Sequence, residues 1–206
     1  MADRLMRAKL ARAAAGLNAR SGFAGELPPL ALLTDDLRLP DPLPAVRALP
    51  RGSLLIVRAR DAVRRATLAE QLREPARARD LIFLIAADPA LAARIGADGL
   101  HLPELRAQEA AHWRACHPRW LITCAAHSIR AIQRAQSAGA DAALLSPVFV
   151  TQSHKGQTGL GAMRFRILAR ASTLPVYALG GIDAHTARHL SGAAAAGLAA
   201  IGALSI

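Results

Sequence analysis

Eight short apolar runs punctuate this chain, and each is separated from the next by a stretch with helical character. They fall at residues 30–34 (LALLT), 53–58 (SLLIVR), 81–86 (LIFLIA), 100–102, 121–126 (LITCAA), 142–148, 175–179 (PVYAL) and 198–202 (LAAIG). The runs are continuous rather than alternating, which is how strands read when a parallel sheet is covered on both faces. Helical stretches are expected at 42–49, 61–73, 88–96, 104–116, 128–138, 162–171 and 183–190. Such alternation leaves an open doubly wound sheet or a closed (β/α)₈ barrel. Eight units with very short strands in 206 residues favour a single TIM barrel with a parallel sheet, one domain over residues 1–206. A repeated phrase supports this: IGADGLHL at 95–102 and AGADAALL at 138–145 both close a helix on Gly and open a strand, with a looser copy at 193–202.

The two ends of the chain add a constraint. Residues 3–20 place Leu5, Leu10 and Leu17 among Ala and Arg, a helix with a basic face. The chain ends four residues after Gly202, so an eighth helix after the last strand is not expected. The extra N-terminal helix, residues 1–22, is expected to pack on the barrel and cover the groove between strands eight and one.

Composition excludes several classes. Arg or Asp interrupts every apolar run, so no membrane span is expected. The N-terminus lacks the apolar core of a secretory signal, and two cysteines make no disulfide framework, which points to a reducing, cytoplasmic setting. The net charge is +11, nearly all of it Arg. Those arginines are spread along the chain and aromatics make up only 3%, which leaves little to stack bases, so nucleic acid is not the expected partner. A phosphorylated small molecule is the more economical one. Homo-oligomerisation is left open.

In such barrels the chemistry gathers at the C-terminal ends of the strands. After strand six, residues 139–161 run from apolar strand into a loop bearing Thr151, Ser153, His154 and Lys155 with three nearby glycines, a composition suited to wrapping a phosphate. Gly180 and Gly181 follow strand seven, and Gly202 and Ala203 follow strand eight, where backbone N–H groups cradle phosphate in this fold. Strand two ends in IVRAR, and alternation puts Ile56, Arg58 and Arg60 on one face, two guanidinium groups for a phosphate or pyrophosphate. His127 follows strand five in the place of a general acid or base. The bland alternatives are surface arginines, an ordinary glycine turn and a helix-capping histidine. His185 and His189 have metal-like spacing, but no third ligand is evident, and a solvated face is the better reading. His101 is near the mouth and carries no assigned role.

Taken in order, LALLTD, the strand-two arginines, GADGLHL, AHS, the segment from GADAALLSPVF to HKG, and ALGGI resemble the thiamine phosphate synthase/TenI superfamily over about residues 30–204. The resemblance implies a (β/α)₈ barrel. It also implies a transferase that couples hydroxymethylpyrimidine pyrophosphate to thiazole phosphate, releasing pyrophosphate with Mg²⁺. TenI-type relatives instead tautomerise a thiazole with a histidine base, and that histidine falls on His127. A non-catalytic phosphate-binding barrel is the third alternative. His127, Lys155 and Arg58 are the expected catalytic residues, His127 as the base of the TenI-type reading. Arg58, Arg60, Thr151, Ser153, Lys155, Gly180, Gly181, Gly202 and Ala203 are then expected to bind substrate phosphates. The chain departs from the family pattern at strand two, where Ile56 replaces a Gln and Arg60 a Lys. The family's two Mg²⁺ aspartates fall on Ala87 and Arg106, which leaves Asp88 and Glu104 as the candidate metal ligands. A metal-free alternative has Arg60, Arg106 and Lys155 neutralise the pyrophosphate.

Overall fold

The computed structural model describes residues 2–23, 25–151 and 158–204. Its centre is a closed barrel of eight parallel strands in sequence order: β1 (Leu30–Leu33), β2 (Leu54–Val57), β3 (Ile82–Ala86), β4 (Gly99–Leu102), β5 (Leu121–Ala126), β6 (Ala142–Leu145), β7 (Val176–Leu179) and β8 (Gly197–Ala200). The ring closes where Leu30, Ala31 and Leu32 pair with Leu198, Ala199 and Ala200. Every residue of β1, β2, β4, β6 and β8 is buried, which is why these segments read as unbroken apolar runs.

Outside the strands lie α1 (Ala2–Ser21), α2 (Leu43–Ala48), α3 (Ala62–Ala78), α4 (Pro89–Ile95), α5 (Ala110–Cys116), α6 (Ile129–Ser137) and α7 (Gly161–Ala171). The α1 helix buries Leu10, Ala14 and Leu17, one stripe at helical spacing. Asn18 then fastens it to the barrel seam, with Nδ2 donating to the carbonyls of Leu27 (3.2 Å) and Ala196 (2.7 Å). After β8 the described residues contain only the 3₁₀ turn Gly202–Leu204. The expected N-terminal cover is therefore found.

The repeated GAD phrase has a physical purpose. Asp98 Oδ2 accepts from the Phe83 amide at 2.8 Å, and Asp141 Oδ2 from the Ile122 amide at 2.6 Å. Each aspartate ties the foot of its own strand to the strand before it.

Several expected boundaries shift. The third helix runs past Arg73 and through Pro75 to Ala78, held down by buried Leu72 and Ala76. The stretch at 104–116 splits into a 3₁₀ segment, Glu104–Glu109, and then α5. The expected helix at 183–190 is a single 3₁₀ segment, Thr186–Leu190. It is short because the Asp183 carboxylate captures the amides of His185 (2.7 Å) and Thr186 (2.8 Å), while Ser191 and Gly192 end it.

Candidate active site

The ends of β6, β7 and β8 enclose a cavity of about 780 Å³, lined by Thr151, Gly180, Gly181, Gly202, Ala203 and, from the β1 side, Arg38. Gly180 and Gly181 are glycines for two reasons. Their φ values are +94° and +63°, and a Cβ on Gly181 would stand 2.7 Å from Phe149 Cβ and from the Val150 carbonyl oxygen. The β7 loop thus lies directly against the β6 loop, joined by Phe149 N–H donating to Gly180 O at 3.0 Å. Among the described residues no protein acceptor meets the amides of Gly181 and Ala203. Two N–H groups without partners on one cavity wall are suited to an anion. The helix N-terminus expected beyond them does not contribute, since Asp183 already takes its amides. Ser153, His154 and Lys155 lie outside the described residues.

Arg38 is the feature that sequence reading missed. It is the one cation among the described residues lining the cavity. Its Nε and Nη2 hold the two oxygens of Asp35 at 3.2 and 2.8 Å. Arg58 Nη1 reaches Asp35 Oδ2 from β2, also at 2.8 Å. The bond from Arg38, with Arg58 adding, holds the Asp35 carboxyl well below the usual carboxylate range against the cost of burial. Asp35 therefore joins the strand-two arginine to the cavity wall. The signal was present in the D-D-L-R spacing after strand one, which reads as a turn until the chain closes. Arg60 is exposed; its amide donates to Asp36 at 2.9 Å, and its side chain makes no ion pair among the described residues. Because β2 ends at Val57, strand alternation does not extend to either arginine.

The β3 and β4 ends tell against a metal. The two family metal positions touch each other: Arg106 Nη1 donates to the Ala87 carbonyl at 2.8 Å, and its other edge grips Glu109 at 2.6 and 2.7 Å. A guanidinium therefore sits where a cation would have to bind. Asp88 caps α4 through the Leu91 amide and accepts from Arg65 at 3.1 Å. Burial works against its charge, but these bonds outweigh it and the Asp88 pKa is lowered. Glu104 takes Arg134 on Oε1 at 2.8 Å and His127 on Oε2. Among the described residues no group of three or more carboxylate, His or Cys ligands converges. Asp88 and Glu104 thus do not fit Mg²⁺, and Arg106, neutralised by Glu109, is not the spare cation expected for pyrophosphate.

His127 does have a partner. Its Nδ1 lies 2.7 Å from Glu104 Oε2, and its amide donates to the same oxygen at 2.9 Å. A carboxylate on Nδ1 fixes the orientation of the ring. Glu104, expected as a metal ligand, is instead the orienting partner of His127. Neither lines the cavity, and neither do Arg58, Arg60 and Asp88. His185 Nδ1 is engaged by Arg188 at 2.6 Å, which leaves the His185–His189 pair without metal character.

The sequence profile described as thiamine monophosphate synthase matches residues 41–204. A thiamine-phosphate synthase of Bacillus velezensis is 29% identical over 143 residues, 68% of this chain and 63% of that protein. One of a Nostoc species is 30% identical over 166 residues, 79% of this chain and 47% of that protein. The chain thus spans about half to two-thirds of the length of these two relatives. Among solved structures, a thiamine phosphate pyrophosphorylase from Pyrococcus furiosus superposes with a TM-score of 0.67 at 22% identity, covering 84% of each chain, a likeness of fold. With the barrel, its rim cavity and a profile match over most of its length, this chain belongs to the thiamine monophosphate synthase family.

Proposed function

We propose that the protein is a synthase-type transferase that joins hydroxymethylpyrimidine pyrophosphate to thiazole phosphate. The observation that carries this reading is the rim cavity, whose lining brings together Arg38 and the residues Gly181 and Ala203, whose amides meet no protein acceptor among the described residues. The thiazole phosphate sits there, against Gly180, Gly181, Gly202, Ala203 and Thr151. Arg58, Arg60, Ser153 and Lys155 take the pyrophosphate. The C–O bond to the pyrimidine methylene breaks, pyrophosphate leaves with the electron pair, and the thiazole nitrogen lone pair closes the new C–N bond on the resulting carbocation. Fixed cations that stabilise the departing charge supply the rate. No step is routed through Mg²⁺, because the carboxylates present are already spent on arginine, histidine and helix amides. The enzyme acts in the cytoplasm on small phosphorylated substrates, without nucleic acid or membrane.

The test is to incubate the chain with both substrates, once with Mg²⁺ and once with EDTA. Thiamine phosphate is expected in both; no product in either overturns coupling. A second reading, thiazole tautomerisation, is favoured by the His127–Glu104 pair. In that case proton exchange on the thiazole carboxylate phosphate appears and is lost in His127→Ala.

A further inference from the structure

Inside the barrel, β4 and β5 carry a buried polar pair that the proposed chemistry does not use. His101 and Thr123 are direct register partners, and His101 Nδ1 lies 2.9 Å from Thr123 Oγ1. Thr123 is fully buried and His101 is 6% exposed. Hydrogen positions follow from which groups would be left without partners. Thr123 Oγ1 has no other partner among the described residues. If the imidazole donated from Nδ1, the threonine hydroxyl hydrogen would be stranded in the core, a costly arrangement. If the hydroxyl donates to Nδ1, that hydrogen is satisfied and the ring proton moves to Nε2. His101 Nε2 has no protein partner among the described residues and is not among the buried unpaired atoms, so it reaches open space. Burial, with the Arg58 charge adding, pushes the His101 pKa down to about 4, which keeps the ring neutral near pH 7. The register sets Val57 beside Ile85 and Ile85 beside Leu100, so Arg58 and His101, each the next residue along its chain segment, lie at the same level of the ring near its C-terminal mouth.

We propose that Thr123 locks His101 in its Nε2–H tautomer, and that this N–H donates to a phosphate oxygen of the substrate held beside Arg58. His101 becomes a binding residue for the anion and Thr123 its positioning residue. The inference rests on the reading that the mouth binds a pyrophosphate.

Ring nitrogen NMR on the ¹⁵N-labelled unsubstituted chain, with inorganic pyrophosphate as probe, tests it. His101 should show an unprotonated Nδ1 and a protonated Nε2, unchanged from about pH 5 to about pH 8. Pyrophosphate should shift the Nε2–H proton downfield. His101→Phe should weaken pyrophosphate binding about tenfold or more, the weight of one hydrogen bond to a charged acceptor. Thr123→Val, nearly isosteric, should give a mixture of tautomers and a smaller loss. A protonated Nδ1 in the unsubstituted chain overturns the proposal. So does pyrophosphate binding that leaves the Nε2–H signal unmoved, although the functional reading then stands. No pyrophosphate binding at all overturns both.

Discussion

Around the ends of β7 and β8 the site is made of backbone, whereas around β2 to β4 it is made of side chains. At the first rim, glycines let two loops touch and leave amides facing a cavity. At the second, four arginines are matched to carboxylates, Arg58 to Asp35, Arg65 to Asp88, Arg106 to Glu109 and Arg134 to Glu104, while Arg60 makes no ion pair among the described residues. A net charge of +11 therefore does not become a reservoir of free cations at the mouth. Short of proline, substitution leaves a backbone amide in place, so the amides of this rim do not depend on which side chains surround them. A metal site depends on particular carboxylates, and positions 87 and 106 offer none: the Arg106 guanidinium bonds the Ala87 carbonyl instead.

The contrast can be broken most forcefully at Gly181. A methyl group there meets a positive φ and two atoms at 2.7 Å, so Gly181→Ala should cost about 2–3 kcal/mol in chemical denaturation and abolish phosphate-induced stabilisation. Gly202→Ala, with nothing within 4 Å of the added atom, should stay within about 0.5 kcal/mol. Equal effects at the two glycines would show that the β7–β6 contact is not what shapes the rim.

A smaller effect sharpens the side-chain half. Asp35→Asn removes the carboxylate shared by Arg38 and Arg58 and should cost about 1–2 kcal/mol near pH 7, a modest figure because both arginines are partly exposed. The folded-state pKa of Asp35 is depressed, so its stabilisation is fully present above the unfolded value of about 4 and is lost as pH falls below it. The parent should therefore lose stability more steeply than the variant in that acidic window when melting is followed against pH. Parallel curves would remove Asp35 from the account.

The smallest change is a gain. Ala87 holds φ +61°, a left-handed conformation that L residues resist, yet only its carbonyl serves Arg106. Ala87→Gly should raise stability by about 0.5–1 kcal/mol once the entropy cost of glycine is set against the relieved strain. A loss instead of a gain would mean that the Ala87 methyl packs usefully at the β3 end.

How legible was all this beforehand? The apolar runs announced the strands because burial on both faces leaves no room for alternation, and Asp88 and Gly96 announced both ends of α4 through capping chemistry. Gly180, Gly181, Gly202 and Ala203 could be found because rim positions follow from strand order alone. The place of Arg38 on the cavity wall, the Glu104–His127 pair and the Arg106–Ala87 contact could not. Each joins residues from different strand ends or loops, and sequence distance carries no information about which loops meet.

By itself the sequence determined the barrel, its N-terminal cover and the family, because these depend on periodicity and local turn chemistry written within short windows. Only the tertiary structure decided which charges remain available. Ion pairing at the rim is set by distances of a few ångströms across strands, and closure of the ring is what brings those side chains together.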